Sequence, residues 1–291
     1  MIEKNKKNSS ENYYDHQSEI IDKVDNSERA LALHFGYFTN KTKTLKKAIL
    51  QMNDFVFELL DIDNNDCTKL LDCGCGVGGT SLYLAKKYPK VFFVGITNSR
   101  KQIKLARFFA KEREIKNADF MYGDYLNTVF PDNEFDGIFA LESVCYAKNH
   151  QAFISEMHRI LKPGGRLVIV DSFRTHSPLN YINRKFYRQF CESFGITSLE
   201  KVTKYKDFLK EKGFTKIYIR DISKSVRPSV FYFSIKAFPH LIKMIKNLLI
   251  WNKDDKYKPS YFDFRGNLIF AGICGALKII AYYGISAVKK S

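Results

Sequence analysis

The chain has 291 residues, six cysteines, 45% hydrophobic and 15% aromatic residues, and a formal net charge of +16 at pH 7. Its length and apolar content supply a full core without disulfides. The cysteines at 67, 73, 75, 145, 191 and 274 form no C-x-x-C pair, which argues against a zinc or disulfide framework and for a reducing compartment. The positive charge asks for an acidic partner (nucleic acid, an anionic membrane or a phosphorylated substrate) unless it is simply a solvated lysine-rich surface.

Residues 1–12 are polar and lack an apolar run, so a disordered tail is expected there, with no signal peptide and a cytoplasmic location. An N-terminal cap of helices is expected over 13–60. It carries Tyr13, Tyr14, His34, Phe35 and Tyr37, which precede the core and can cover it. Taken singly, each is better explained as packing on an amphipathic helix. From Thr44 to Leu60 the period is helical: Leu45, Ala48, Ile49, Met52, Phe55, Val56 and Leu59 share one face.

The core is expected over 61–224. Strands read at 68–73, 91–96, 118–122, 135–141, 166–172 and 214–221, and helices at 79–88, 99–113, 150–161, 180–194 and 205–212. Such alternation implies a parallel sheet with helices on both faces and a ligand at the carboxyl ends of the strands. The first strand runs into Asp72-Cys73-Gly74-Cys75-Gly76-Val77-Gly78-Gly79, and a helix follows. A glycine turn before a helix start brings unpaired N–H groups close to a ligand. Gly74, Gly76 and Gly79 satisfy the dinucleotide pattern G-x-G-x-x-G. That reading needs an acid at the end of the second strand, but Thr97-Asn98-Ser99 stands there. Asp72 instead places a carboxylate beside the turn, which suits a positively charged ligand.

An acid followed by G-x-G-x-G resembles the first motif of the class I S-adenosylmethionine-dependent methyltransferases, whose cofactor carries an ammonium and a sulfonium and no pyrophosphate. Further along, Gly95-Ile96-Thr97-Asn98-Ser99-Arg100-Lys101-Gln102 is similar to a segment of cyclopropane-synthase-like, tocopherol and N-methyltransferases. The resemblance implies that Thr97, Asn98 and Gln102 contact the ribose hydroxyls, a role compatible with a helix cap at Asn98 or Ser99. Gly123-Asp124-Tyr125 resembles the adenine site, with Asp124 accepting from the exocyclic amine and Tyr125 along the ring. With Asp72, Gly74, Cys75, Gly76 and Leu141, these residues are the cofactor candidates. Pro131 to Asp136 and the Leu161-Lys162-Pro163-Gly164-Gly165 turn also match the family. Glu142, after the fourth strand, stands where the transferred methyl emerges in this architecture, and a carboxylate there can bind a cationic transition state or take a proton. The Tyr-Tyr-Asp and His-Phe-Gly-Tyr blocks resemble the cap of enzymes acting on lipids, sterols, tocopherols and amines. On that resemblance the catalytic candidates are Tyr14, His34, Tyr37 and Glu142, with Tyr146 beside them.

Residues 225–266 break the alternation. Ser229 to Phe238 and Leu241 to Trp251 are apolar, and a helical lid insert with a pocket wall is expected. Leu268 to Val288 holds one charge, Lys278. Its length fits a membrane span. Its glycines and β-like ending favour a helix over 267–280 and a last strand at 282–288, within a final unit at 267–291. The expected architecture is α/β: a Rossmann-like doubly wound seven-stranded sheet, mostly parallel with the last strand antiparallel, an N-terminal helical cap and a helical insert before the last strand.

The resemblance implies S-adenosyl-L-methionine as cofactor, no metal, and methylation of a hydrophobic small molecule, foremost at a carbon of an isoprenoid, sterol or lipid drawn from a membrane surface. N-methylation of a small amine comes next, and cyclopropane formation after it. Nucleic acid is not expected as a partner. Enzymes that methylate base amino groups carry Asp/Asn-Pro-Pro-aromatic where this chain has Ala140-Leu141-Glu142-Ser143, and no RNA-binding module is visible. A non-catalytic binding protein of the same fold is the remaining alternative.

Overall fold

The computed structural model describes residues 31, 34–62, 68–175, 180–235 and 271–291. Tyr14, the expected tail at 1–12, the first part of the cap and most of the expected lid lie outside the described residues.

One sheet runs through the molecule in the order β3-β2-β1-β4-β5-β7-β6. Its strands are β1 Thr68–Cys73, β2 Val91–Thr97, β3 Ala118–Tyr122, β4 Phe135–Leu141, β5 Leu161–Arg174, β6 Phe214–Asp221 and β7 Ile280–Lys289. β1 to β5 pair in parallel, and β7 lies antiparallel between β5 and β6. The order reverses between β1 and β4, the point at which doubly wound sheets open a crevice for a ligand.

Both faces of the sheet are covered, so the inner strands read as apolar runs. Leu70, Phe93, Phe139 and Val168 pack under Met52, Phe55 and Val56 of helix α1, Leu45–Leu60. Leu71, Ile138 and Leu167 point the other way. They meet Phe153, Ile154 and Met157 of α4, His150–Ile160, and Tyr205 and Leu209 of α6, Val202–Glu211. Each large side chain buried there stabilises the fold by roughly 1.5–3 kcal/mol. Helices α2, Gly79–Lys87, and α3, Arg100–Glu112, follow β1 and β2, and α5, Tyr181–Phe194, follows β5. Thr44 caps α1 by accepting from the Lys47 N–H, and Asp61 ends it in the left-handed region. A Cβ on Gly284 would lie 3.0 Å from the Phe55 ring, so this glycine lets α1 sit directly on β7.

Three expectations change. Of the helix expected at 267–280, the described part spans 271–276. Lys278 then turns at φ 53 and β7 begins at Ile280. Strand β5 starts at Leu161 rather than 166, because Leu161 pairs with Phe135 across a register shift and Gly164, at φ +78, carries the chain onward. Helix α6 begins at Val202 rather than Tyr205. The segment expected as a helical insert from 225 is helical over its described part, 223–235. Among the described residues no helix is long and apolar enough to cross a membrane.

Candidate functional site

A cavity of about 1430 Å³ opens at the carboxyl ends of β1 to β4. All eleven cofactor candidates lie on its wall: Asp72, Gly74, Cys75, Gly76, Thr97, Asn98, Gln102, Gly123, Asp124, Tyr125 and Leu141. His34, Glu142 and Tyr146 line it too. Tyr37 does not. Its ring stacks on Phe55 at 4.6 Å within the core, so the structure takes it away from the catalytic candidates and gives it a packing role.

The glycine turn is built by close approach. Gly74, Gly76 and Gly78 have φ of 85°, 54° and 81°, a region costly for residues with a Cβ. A Cβ on Gly74 would lie 2.4 Å from the Ser143 Cβ. The N–H groups of Gly74 and Cys75 both donate to the Ile96 carbonyl at 2.9 Å, which pins the turn to the end of β2. The Ser143 hydroxyl donates to the Cys73 carbonyl at 2.5 Å, which pins it to β4. Helix α2 starts at Gly79 with no side-chain cap, and Gly79 and Thr80 face the cavity. That helix start presents unpaired N–H groups and the positive end of its dipole to a carboxylate.

Beside the turn, Asp72 is 3% exposed and accepts from the Ser81 hydroxyl at 2.6 Å. Burial pushes its carboxyl up to about 7, against the Ser81 hydrogen bond that pulls it down. A bound cation would bring it back to the charged form. At the end of β2, the Thr97 hydroxyl donates to Gln102 Oε1 at 2.7 Å, and the Gln102 N–H donates to Ser99 Oγ at 3.2 Å. This leaves Gln102 Nε2 buried and, among the described residues, without a partner, on a side chain that lines the cavity. At the end of β3, Asp124 Oδ1 accepts from the Leu126 N–H at 2.9 Å. The Tyr125 hydroxyl donates to the Ser143 carbonyl at 3.1 Å, and burial pushes that phenol far up.

The other side of the cavity is closed by an extended strap at 34–38. The Phe35 N–H donates to Glu142 Oε1 at 2.6 Å, the Gly36 N–H to Ser229 Oγ at 2.9 Å and the Phe38 N–H to the Ser225 carbonyl at 2.8 Å. His34 Nδ1 lies 2.9 Å from the Phe35 carbonyl, which can only accept, so Nδ1 carries the proton and Nε2 keeps its lone pair. Among the described residues that buried Nε2 has no partner at hydrogen-bond geometry, and burial lowers the imidazole below its ordinary range, against the Phe35 carbonyl and the Asn53 side chain, which raise it. His34 is thus a neutral imidazole on the cavity wall.

Burial also pushes Glu142 up to about 8, partly offset by hydrogen bonds from Tyr282 and Phe35. Asp171, which reasoning on the sequence missed, is 2% exposed in β5 and lines the same cavity. It accepts from the N–H groups of Cys145 and Ser172 at 2.9 and 2.7 Å, and burial pushes it up to about 6. Ser143 and Tyr282 were missed as well. Asp171 lies inside β5, and an acid in an otherwise apolar run of that strand is the one signal that could have found it. The far wall is apolar: Phe35, Phe190, Phe194, Val230 and Phe233 line it, with Phe35 and Phe233 rings 6.0 Å apart. Among the described residues no cluster of His, Cys, Asp or Glu could hold a metal ion.

A family model described as a methyltransferase domain matches residues 71–169. A 27-O-demethylrifamycin SV methyltransferase from Amycolatopsis mediterranei is 30% identical over 198 residues, 68% of this chain and 71% of its own. A sterol 24-C-methyltransferase from Gibberella zeae is 30% identical over 195 residues, 66% of this chain and 50% of its own. The solved structure of the (4+2)-cyclase SpnF superposes with a TM-score of 0.74 at 23% identity, over 97% of this chain and 96% of that one, and supports the fold alone. Other solved structures of this fold hold S-adenosyl-L-methionine or S-adenosyl-L-homocysteine.

Proposed function

This chain belongs to the class I S-adenosylmethionine-dependent methyltransferases, with S-adenosyl-L-methionine as its methyl donor, and from that premise we propose that it methylates an apolar small molecule, at a carbon of an isoprenoid, sterol or lipid. The observation that carries this reading is the size and lining of the cavity. Its volume of about 1430 Å³ exceeds the roughly 300–1,000 Å³ of an ordinary ligand pocket, so a second ligand fits beside the donor. The part away from the glycine turn is walled by Phe35, Phe190, Phe194, Val230 and Phe233. The sterol 24-C-methyltransferase relative agrees in substrate class.

The residues fit the donor. Asp72 suits its positive methionine end, the start of α2 its carboxylate, the orphaned Gln102 Nε2 a ribose hydroxyl, and Asp124 with Tyr125 the adenine. Bound there, the donor supplies an electrophilic methyl group, and displacement at that carbon needs no further cofactor. The protein's contribution is position and dryness: the strap at 34–38 covers the cavity and the aromatic wall holds the acceptor in line. For a carbon acceptor a proton must then leave. The unprotonated His34 Nε2 and the Asp171 carboxylate are the acceptors on the wall, and Glu142 steadies positive charge.

Lys46, Lys148, Arg227 and Lys278 also line the cavity. They favour an acceptor with an anionic head, such as an isoprenoid diphosphate, and contact with an anionic membrane surface that delivers it. A second reading, N-methylation of an amine, draws on Glu142 and Asp171, neither of which has a cationic partner among the described residues. Incubation with methyl-labelled donor and separate pools of isoprenoid diphosphates, sterols, quinones and amines distinguishes the two. Label is expected in an apolar pool. Label confined to amines selects the second reading, and label confined to added RNA overturns both.

A further inference from the structure

Tyr282 is the last of three β7 residues on the cavity wall, after Ile280 and Ala281. It is 5% exposed and lies beside Ser172 in the β5–β7 ladder, one residue from Asp171. Its hydroxyl donates to Glu142 Oε1, the same oxygen that accepts the Phe35 N–H. Its own N–H donates to Ser223 Oγ at 2.9 Å, and its ring meets Phe35 edge-on at 6.4 Å. Glu142 itself sits at φ 49, a left-handed conformation that costs a glutamate roughly 1–3 kcal/mol. Its N–H is held by the Val170 carbonyl at 2.9 Å. Glu142 is therefore fixed in a costly backbone conformation, with two donors on one carboxyl oxygen. It follows directly on Leu141, and its neighbour Ser143 is locked against Gly74, so its carboxyl lines the cavity next to the glycine turn.

We propose that Tyr282 is a positioning residue that, through Glu142, makes the site discriminate the positively charged methyl donor from its neutral product. The acceptor's electron pair forms the new bond to the methyl carbon, and the carbon–sulfur pair returns to sulfur. Positive charge thereby leaves the cofactor. A carboxylate held at that sulfur grips the sulfonium and lets go of the thioether. The Tyr282 hydroxyl aims Glu142 and stabilises its charged form, as does the Phe35 N–H. Opposing them are burial and the facing Asp171 of β5. Cys145, from the turn after β4, and His34, from the strap, complete the titratable surroundings, both neutral at ordinary pH. Asp72 acts on the methionine end common to both ligands, so its effect cancels when their affinities are compared. The inference rests on the identity of the donor and on nothing about the acceptor.

The test is calorimetric titration of the full chain with S-adenosyl-L-methionine and S-adenosyl-L-homocysteine from mildly acid to mildly alkaline pH. In the wild type the donor-to-product affinity ratio should rise with pH as Glu142 ionises. Tyr282→Phe, which removes one hydroxyl, should lower that ratio at neutral pH by about tenfold and move the inflection to higher pH. Glu142→Gln should flatten the inflection, which assigns it to Glu142 rather than Asp171. Sinefungin, with an ammonium in place of the methyl sulfonium, should follow the donor in the wild type, a measurement that needs no variant to fold. An unchanged ratio and inflection in Tyr282→Phe overturns the proposal, as does sinefungin following the product. Failure of the wild type to bind either compound overturns the donor instead.

Discussion

Thr97 holds Gln102 by its oxygen. The hydroxyl donates to Gln102 Oε1 at 2.7 Å and leaves the amide nitrogen, on a side chain that lines the cavity, buried and unpaired among the described residues. A buried donor without a partner costs about 1–3 kcal/mol, recovered when a ligand hydroxyl arrives. Gln102→Leu should therefore weaken S-adenosyl-L-methionine binding by about tenfold while leaving the melting temperature equal or higher. Calorimetry and thermal melts on the same preparation check both halves. A lower melting temperature with unchanged affinity would make Gln102 a structural residue.

Gly74→Ala should abolish donor binding and destabilise the fold. Its φ of +85° costs an alanine about 1–2 kcal/mol, and the added Cβ would lie 2.4 Å from the Ser143 Cβ. Urea denaturation should show a loss of about 2–4 kcal/mol. Gly74→Ala with Ser143→Gly relieves the contact but keeps the strained φ, and should recover part of that loss.

Stability without ligand should fall as pH rises above about 7, where the His34, His150 and His158 imidazoles, lowered by burial and opposite in sign, are neutral folded or unfolded. Asp72, Asp171 and Glu142 are pushed up to about 7, 6 and 8 in the folded protein. Their unfolded values lie near 4, so between about pH 4 and about pH 8 these three carboxyls bind more protons in the folded chain than in the unfolded one. Each group removes up to about 1.4 kcal/mol per pH unit within its own part of that window. The donor's positive charge should reverse the trend, with its largest stabilisation at the alkaline end. Melting curves across the range, with and without donor, give the sign directly. A melting temperature that climbs from about pH 7 to about pH 8 without ligand contradicts it.

Val230→Trp should fill the apolar end of the cavity and leave the glycine turn untouched, since Val230 lines the wall with Phe233 and belongs to the described helix at 223–235. Transfer to whichever apolar acceptor takes label should drop by more than tenfold, with the donor dissociation constant within about twofold of wild type. Radiolabel transfer and calorimetry measure the two quantities. Equal loss of both places Val230 on the donor side.

Local chemistry made much of this fold readable. The glycine run after an apolar strand, the alternation of periods and the acid, amide and aspartate at successive strand ends each depend on neighbours in sequence, and those residues all reach the cavity wall. What sequence left hidden depends on distant partners. Ser143 is essential to the turn only because Gly74 approaches it from another strand. Asp171 reads as a core strand residue until Cys145 turns its N–H toward it. Tyr282 meets Glu142 across a separation of 140 residues. Tyr37 failed for a related reason: an aromatic in a cap segment can face cavity or core, and the Phe55 ring decides it. Lys278, at φ 53, gives no sequence sign that it ends a helical stretch early.

Strand β7 is synthesised after β6 yet lies between β6 and β5. Until residues 280–289 have emerged from the ribosome, β6 has no ladder to join and Glu142 has no phenol to bind. Assembly of the sheet's outer third is therefore a late event, and the same closing insertion that finishes the scaffold also finishes the reaction chamber. A nascent chain halted before that point would hold a formed glycine turn but an unfinished vessel around it.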